Sequence, residues 1–309
     1  MNDEAATLPT RNEKIQSGKR VVMKTINKLM SVGALALAVF MPATFTVQAQ
    51  TNPNAVSSST GGTVGIVARA NQIIGQNVFN RQGEAIGKIN NLVVELASGR
   101  VLYAVVDEQG GVPGMDRFAI PPGKFSSGAN NGNLVVDVKK ADLASAPKFK
   151  GGASTINSVD YAQQVYQHFG QPAWWEGSGA AGASANTFGN VRGARQLMGT
   201  EVKTVANQNL GQIKNLVVDL AAGRVLYVAL VPPGSLGSGN MVYVVPPNAF
   251  TPGPDGTLVT GLDEAKLQGG PHFADNSWPD VASSSYATQV YQYYGKQPYF
   301  NSQLSPTSR

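Results

Sequence analysis

Apolar residues run almost unbroken on either side of a Gly-containing turn along NLVVELASGRVLYAVV, which begins at Asn91, and the pattern returns as NLVVDLAAGRVLYVAL at Asn215. Successive side chains of a strand point to opposite faces, so Leu92, Val94 and Leu96 share one face and Val93 takes the other. Beyond the tip, Val101, Tyr103 and Val105 alternate with Leu102, Ala104 and Val106. The pattern predicts a β-hairpin that is apolar on both faces, and something must cover its outer side. A second periodicity supplies the cover. Tyr161, Val165 and Phe169 fall at i, i+4 and i+8 with Ala162 and Tyr166 alongside, and Tyr286, Val290 and Tyr294 repeat the stripe. Both stretches predict an amphipathic helix closing a unit.

The correspondence extends well past the hairpin. Gly75 matches Gly199, Gly87 matches Gly211, Gly99 matches Gly223 and Arg100 matches Arg224, all at an offset of 124. AIPPGKF (119–125) is answered by VVPPNAF (244–250), and YAQQVYQHFG from Tyr161 by YATQVYQYYG from Tyr286. A unit of roughly 100 residues is therefore written twice. Short β-rich runs punctuated by Gly, Pro and Asn predict a mainly β chain of two small antiparallel β-barrels, each with a C-terminal amphipathic helix. The expected organisation is a leader over 1–49, a disordered spacer over 50–71 and a first barrel unit over 72–175. A Gly/Ala/Ser linker over 176–192, a second unit over 193–300 and a tail over 301–309 follow. The linker composition predicts two barrels tethered rather than fused.

Composition agrees with a loop-rich β protein: 42% apolar, 14% charged, 35 Gly and 18 Pro in 309 residues. The +5 net charge sits largely in the leader, where six cations face three anions. Removing these from 24 and 19 leaves 18 and 16, a thin +2 with no basic run to suggest nucleic acid. Within the leader, Lys24 and Lys28 precede the apolar run Leu29–Met41, and Val47-Gln48-Ala49 has the small-x-small pattern of a cleavage site. We read an export signal cleaved after Ala49, with Met23 as an alternative start. The 13-residue apolar run, stopped by Pro42, falls short of the ~20 residues that span a bilayer, so no stable membrane span is expected after cleavage. The absence of Cys excludes disulfides, thiolate metal sites and cysteine nucleophiles.

The segment GEAIGKINNLVVELASGRVLYAVV and its second copy, followed by the IPP and VPP segments ahead of Phe125 and Phe250, resemble the PRC-barrel domain, named for the photosynthetic reaction centre. The resemblance covers most of each unit and implies a small β-barrel. In the reaction-centre H subunit and in a ribosome maturation factor the domain serves as a docking module. This chain looks like the exported, tandem bacterial members of the family. The family carries no general catalytic residues, so the resemblance implies no enzyme activity and no cofactor.

Candidate chemistry is sparse. The two histidines do not recur, His168 matching Tyr293 and His272 matching Lys148, and without Cys they fall short of a zinc set. The recurring charges are Glu95 with Arg100 and Asp219 with Arg224. Across four-residue hairpin loops each acid should face its Arg, as a structural ion pair worth at most ~1 kcal/mol. No catalytic residue and no metal ligand is nominated. One other feature recurs: an aromatic pair follows each helix, Trp174-Trp175 and Tyr299-Phe300, either as a latch folded on the barrel or as an exposed binding platform. The expectation is a non-enzymatic periplasmic protein that docks on an envelope protein or surface, with homo-oligomerisation left open. The alternative is a small-ligand binder or enzyme with a pocket between the two barrels.

Overall fold

A computed structural model describes residues 57–58, 65–110, 117–127, 133–175, 188, 190–234 and 241–298. The leader, most of the spacer and linker, and the pair Tyr299-Phe300 lie outside the described residues. The first repeat contains β1 (Ser57–Ser58), β2 (Ile66–Arg69), α1 (Ala70–Ile73), β3 (Asn77–Asn80), β4 (Ala85–Glu95), β5 (Arg100–Glu108), β6 (Arg117–Ile120), β7 (Phe125–Ser127) and β8 (Leu134–Val136). Three helices close it: α2 (Lys140–Leu143), α3 (Ala153–Ile156) and α4 (Val159–His168). The second repeat follows as β9 (Val191–Gly193), α5 (Ala194–Leu197), β10 (Glu201–Thr204), β11 (Asn209–Asp219), β12 (Arg224–Val231), β13 (Met241–Val245), β14 (Phe250–Pro252) and β15 (Leu258–Thr260). It ends with α6 (Glu264–Gln268), β16 (His272–Ala274) and α7 (Ser284–Tyr293).

The predicted hairpins are β4–β5 and β11–β12, and their turn glycines Gly99 and Gly223 take φ of +62° and +63°, a conformation that costs glycine least. Each long strand carries one extra residue, Asn90 or Lys214, where the register shifts. Gly87 and Gly211 recur because the neighbouring strand comes very close: a Cβ there would lie 2.0 Å from the carbonyl oxygen of Asp107 or Val231. Both faces of the hairpins are buried, as their apolar residues on both faces require, with Leu92, Val93, Tyr103 and Tyr227 almost wholly inaccessible.

The helical stripe forms as expected in kind. Ala162, Val165, Tyr166 and Phe169 are buried against the sheet, and Tyr161 is partly covered. Ser158 caps α4 by accepting from the Tyr161 amide at 3.0 Å. The Tyr166 hydroxyl donates to Leu102 O at 2.7 Å, and Tyr291 on α7 repeats the bond to Leu226 O at 2.9 Å.

The structure departs from the sequence reading in how the repeats join. The strands form one 16-stranded sheet that does not close into separate barrels, and two pairings, β3–β8 and β10–β15, are parallel. Both repeats fall in one compact unit, Thr51–Arg309. Strand β2 of the first repeat pairs with β11 of the second, and β9 of the second pairs with β4 of the first. The exchange is reciprocal: Asp219 lies opposite Val67 and Glu95 opposite Val191, the same positions at the repeat offset. Tethered barrels are thus corrected to fused ones. The disordered spacer is corrected from Ile66 onward, where Ile66, Val67, Ala68 and Ala70 are buried, and so is the end of the linker, where Phe188 and Val191 are buried. These short strands look like spacer because the strands that cover them lie far along the chain.

Candidate functional site

The residues repeated most faithfully meet where the two repeats join. Arg100 and Arg224 are cross-strand partners between β5 and β12, bracketed by Val101 N donating to Gly223 O and Val225 N donating to Gly99 O, each at 3.0 Å. Since Glu95 pairs with Arg100 and Asp219 with Arg224, one row reads Val67, Asp219, Arg224, Arg100, Glu95, Val191 across six strands. Like charges placed opposite one another repel, so the row needs other partners for its arginines. The Arg100 guanidinium lies 4.9 Å from the centre of the Trp174 ring, a cation–π contact. Burial pulls its pKa below the ordinary arginine value, and the nearby Tyr166 phenol acts in the opposite direction.

The expected acid–arginine contact is only half realised. Glu95 stands opposite Arg100, yet its carboxylate accepts from the Ser98 hydroxyl at 2.6 Å, and no ion pair joins the two among the described residues. Arg100 turns to the indole because a delocalised cation keeps more of its stabilisation there than beside a second arginine. Asp219 is fully buried and accepts from the amides of Gly65 and Ala222, both at 3.1 Å, which fastens the exchanged strand to the hairpin tip. These residues serve the join between repeats.

Further contacts at the join were missed in the sequence. Asn91 Oδ1 accepts from the Arg195 amide at 3.1 Å, and Asn215 Oδ1 accepts from the Asn71 amide at 3.4 Å, so the motif asparagine of each repeat reaches the other. Each hairpin-tip glycine faces the second proline of the other repeat's Pro-Pro pair: a Cβ on Gly99 would lie 3.1 Å from Pro247, and one on Gly223 3.1 Å from Pro122. The signal was present, since Asn, Gly and Pro-Pro all recur. Nothing local says that they recur in order to meet.

Trp174 and Trp175 fold back as a latch. Both are partly buried; Trp175 packs on Tyr166 at 4.8 Å and on Phe188 at 5.3 Å, and Trp174 lies 6.3 Å from Phe188. Their counterparts Tyr299 and Phe300 fall outside the described residues. The histidines stand apart, one in each repeat. His168 shares a hydrogen bond of 2.9 Å with Asp142 O, and His272 one of 2.8 Å with Gly270 O. Among the described residues no group of three His, Cys, Asp or Glu could hold a metal ion, and no helix is long and apolar enough to cross a membrane. A groove of about 370 Å³ is lined by first-repeat residues, including Lys148, Lys150 and Tyr161. It is not the pocket between barrels that the alternative reading requires.

The PRC-barrel domain model matches residues 66–143 and 189–265. Those two stretches include the exchanged strands and stop short of α4 and α7. No curated protein matches the chain.

Proposed function

We propose, starting from the fact that the chain belongs to the PRC-barrel domain family, that it is a non-enzymatic protein that holds a partner through two equivalent faces. The family is generally non-enzymatic. The observation that carries the reading is the reciprocal strand exchange, which fuses the repeats about a pseudo-twofold relation. The fusion presents each outer surface twice at a fixed separation. A partner with two like sites, or a surface with repeated ones, then meets both faces without a second ordering cost, and two weak contacts act as one strong one. An envelope protein or surface is the class of partner in this reading, supported by the leader's Lys24 and Lys28 ahead of the apolar run Leu29–Met41, the pattern of an export signal.

Photo-crosslinking in intact cells tests this. Gln167 on α4 and Gln292 on α7 are matching, exposed positions. A crosslinking residue at either should capture the same partner. No reproducible product at either position, or unrelated products at the two, would remove the bivalent reading.

A further inference from the structure

The groove beside α4 is lined by first-repeat residues, and the internal repeat separates its scaffold from its distinguishing residues. Pro147, Ser158, Tyr161 and Gln164 line it and recur as Pro271, Ser283, Tyr286 and Gln289. Lys148 and Lys150 do not recur; His272 and Ala274 stand in their places. In the first repeat the loop continues as Gly151 and Gly152, with φ of +74° and +81°, where the second repeat has Asp275 and Asn276. The second repeat has Trp278 in the corresponding loop, packed on Phe273 at 4.6 Å and beneath Arg69 at 4.8 Å. Phe149, the counterpart of Phe273, turns inward onto Tyr103 and Tyr161 at 6.1 and 5.9 Å.

The lining is rich in donors and contains no carboxylate. Lys148 donates to Glu108 at 3.0 Å, which offsets its charge, whereas the exposed Lys150 has no ion-pair or hydrogen-bond partner among the described residues. Asp160, exposed in the first turn of α4, lies outside the lining. Ser158 Oγ accepts from the Tyr161 amide and keeps its own hydrogen to donate, and Tyr161 donates to Pro147 O at 3.3 Å. The Thr155 hydroxyl and the Gln164 amide complete a wall of neutral hydrogen-bonding groups around one available cation.

We propose that this groove binds a small polyol bearing one oxyanion, a sugar acid or a sugar phosphate. The oxyanion sits on Lys150, and the sugar hydroxyls face Ser158, Thr155 and Gln164. The volume lies at the low end of small-molecule sites and suits a single sugar. Lys150 has Ala274 in its place in the second repeat, so the proposed site stands apart from the bivalent docking reading and can fail independently of it.

Calorimetric titration of the full chain tests the proposal at one fixed ionic strength, with glucuronate and glucose 6-phosphate as the two arms and glucose and inorganic phosphate as controls. At least one acid should bind saturably, about tenfold or more tighter than either control, as one charge-assisted contact added to the hydroxyl contacts implies. Whichever acid binds decides between carboxylate and phosphate. Lys150→Gln should abolish that advantage, while Lys139→Gln, at another exposed lysine of the same repeat, should leave it intact; thermal melts confirm that both variants fold. The proposal is overturned if neither acid saturates, if a control binds as tightly as the acids, or if Lys150→Gln binds like the parent.

Discussion

The strand exchange makes the two repeats share stability, and Ile66→Ala measures how much. Ile66 belongs by sequence to the first repeat, is 1% exposed, and accepts at its carbonyl from the Leu220 amide of the second repeat at 2.8 Å. Truncating a buried Ile to Ala costs about 2–5 kcal/mol. A value near 3 kcal/mol corresponds to more than a hundredfold in an opening equilibrium. Native-state hydrogen exchange reads the effect residue by residue. The Leu220 amide, 154 positions away in the chain, should exchange at least tenfold faster, and so should amides of β10 and β15 that never touch residue 66. Val191→Ala should produce the mirror effect in β3, β4 and β8. If Ile66→Ala accelerates exchange only within residues 66–143 and leaves 201–260 at the parental rate, the repeats are independent and the fused description is wrong.

Other consequences are open to direct measurement. Proteolytic cutting within 178–185 should leave the two halves co-eluting on size exclusion under native conditions, because strand pairing and the Asn91 and Asn215 contacts hold them; separation of the halves would contradict this. Gly87→Ala and Gly211→Ala should each lower stability by about 1–3 kcal/mol in denaturant melts, since a Cβ would sit 2.0 Å from a backbone oxygen of the neighbouring strand; parental stability would show that the strands part easily. Trp174→Ala should lower the melting temperature and increase the chemical reactivity of Arg100 by removing its ring; unchanged reactivity would deny the cation–π contact. Burial raises the phenol pKa of Tyr286 from 10.0 to about 12, and shifts Tyr103, Tyr166 and Tyr291 further in the same direction. A raised folded-state value means the unfolded chain ionises first. The stabilisation is therefore complete below pH 10 and declines as pH rises from there through about 12. A denaturant midpoint that stays flat across that window would refute the assignment of these phenols as buried.

The apolar runs on either side of a Gly-containing turn in residues 91–106 and 215–230 were enough to predict the hairpins, because a strand buried on both faces leaves that mark in its own residues. The i, i+4, i+8 stripe likewise predicted α4 and α7. Recurring glycines marked the tight turns and close approaches, where a side chain has no room. The PRC-barrel resemblance rested on the same residues. Only the tertiary structure decided what the repetition accomplishes. Ile66–Arg69 and Val191–Gly193 are too short to declare themselves as strands, since their burial comes from a partner far along the chain. Glu95 and Arg100 were rightly placed opposite each other, but the second arginine and the indole that redirect Arg100 come from distant elements. Lys150 shares a groove with Ser158, Tyr161 and Gln164 of the following helix, a property of tertiary packing rather than of pattern. Local periodicity records each residue's own exposure, whereas the join between repeats depends on contacts about 100 positions or more apart, for which a single sequence has no period.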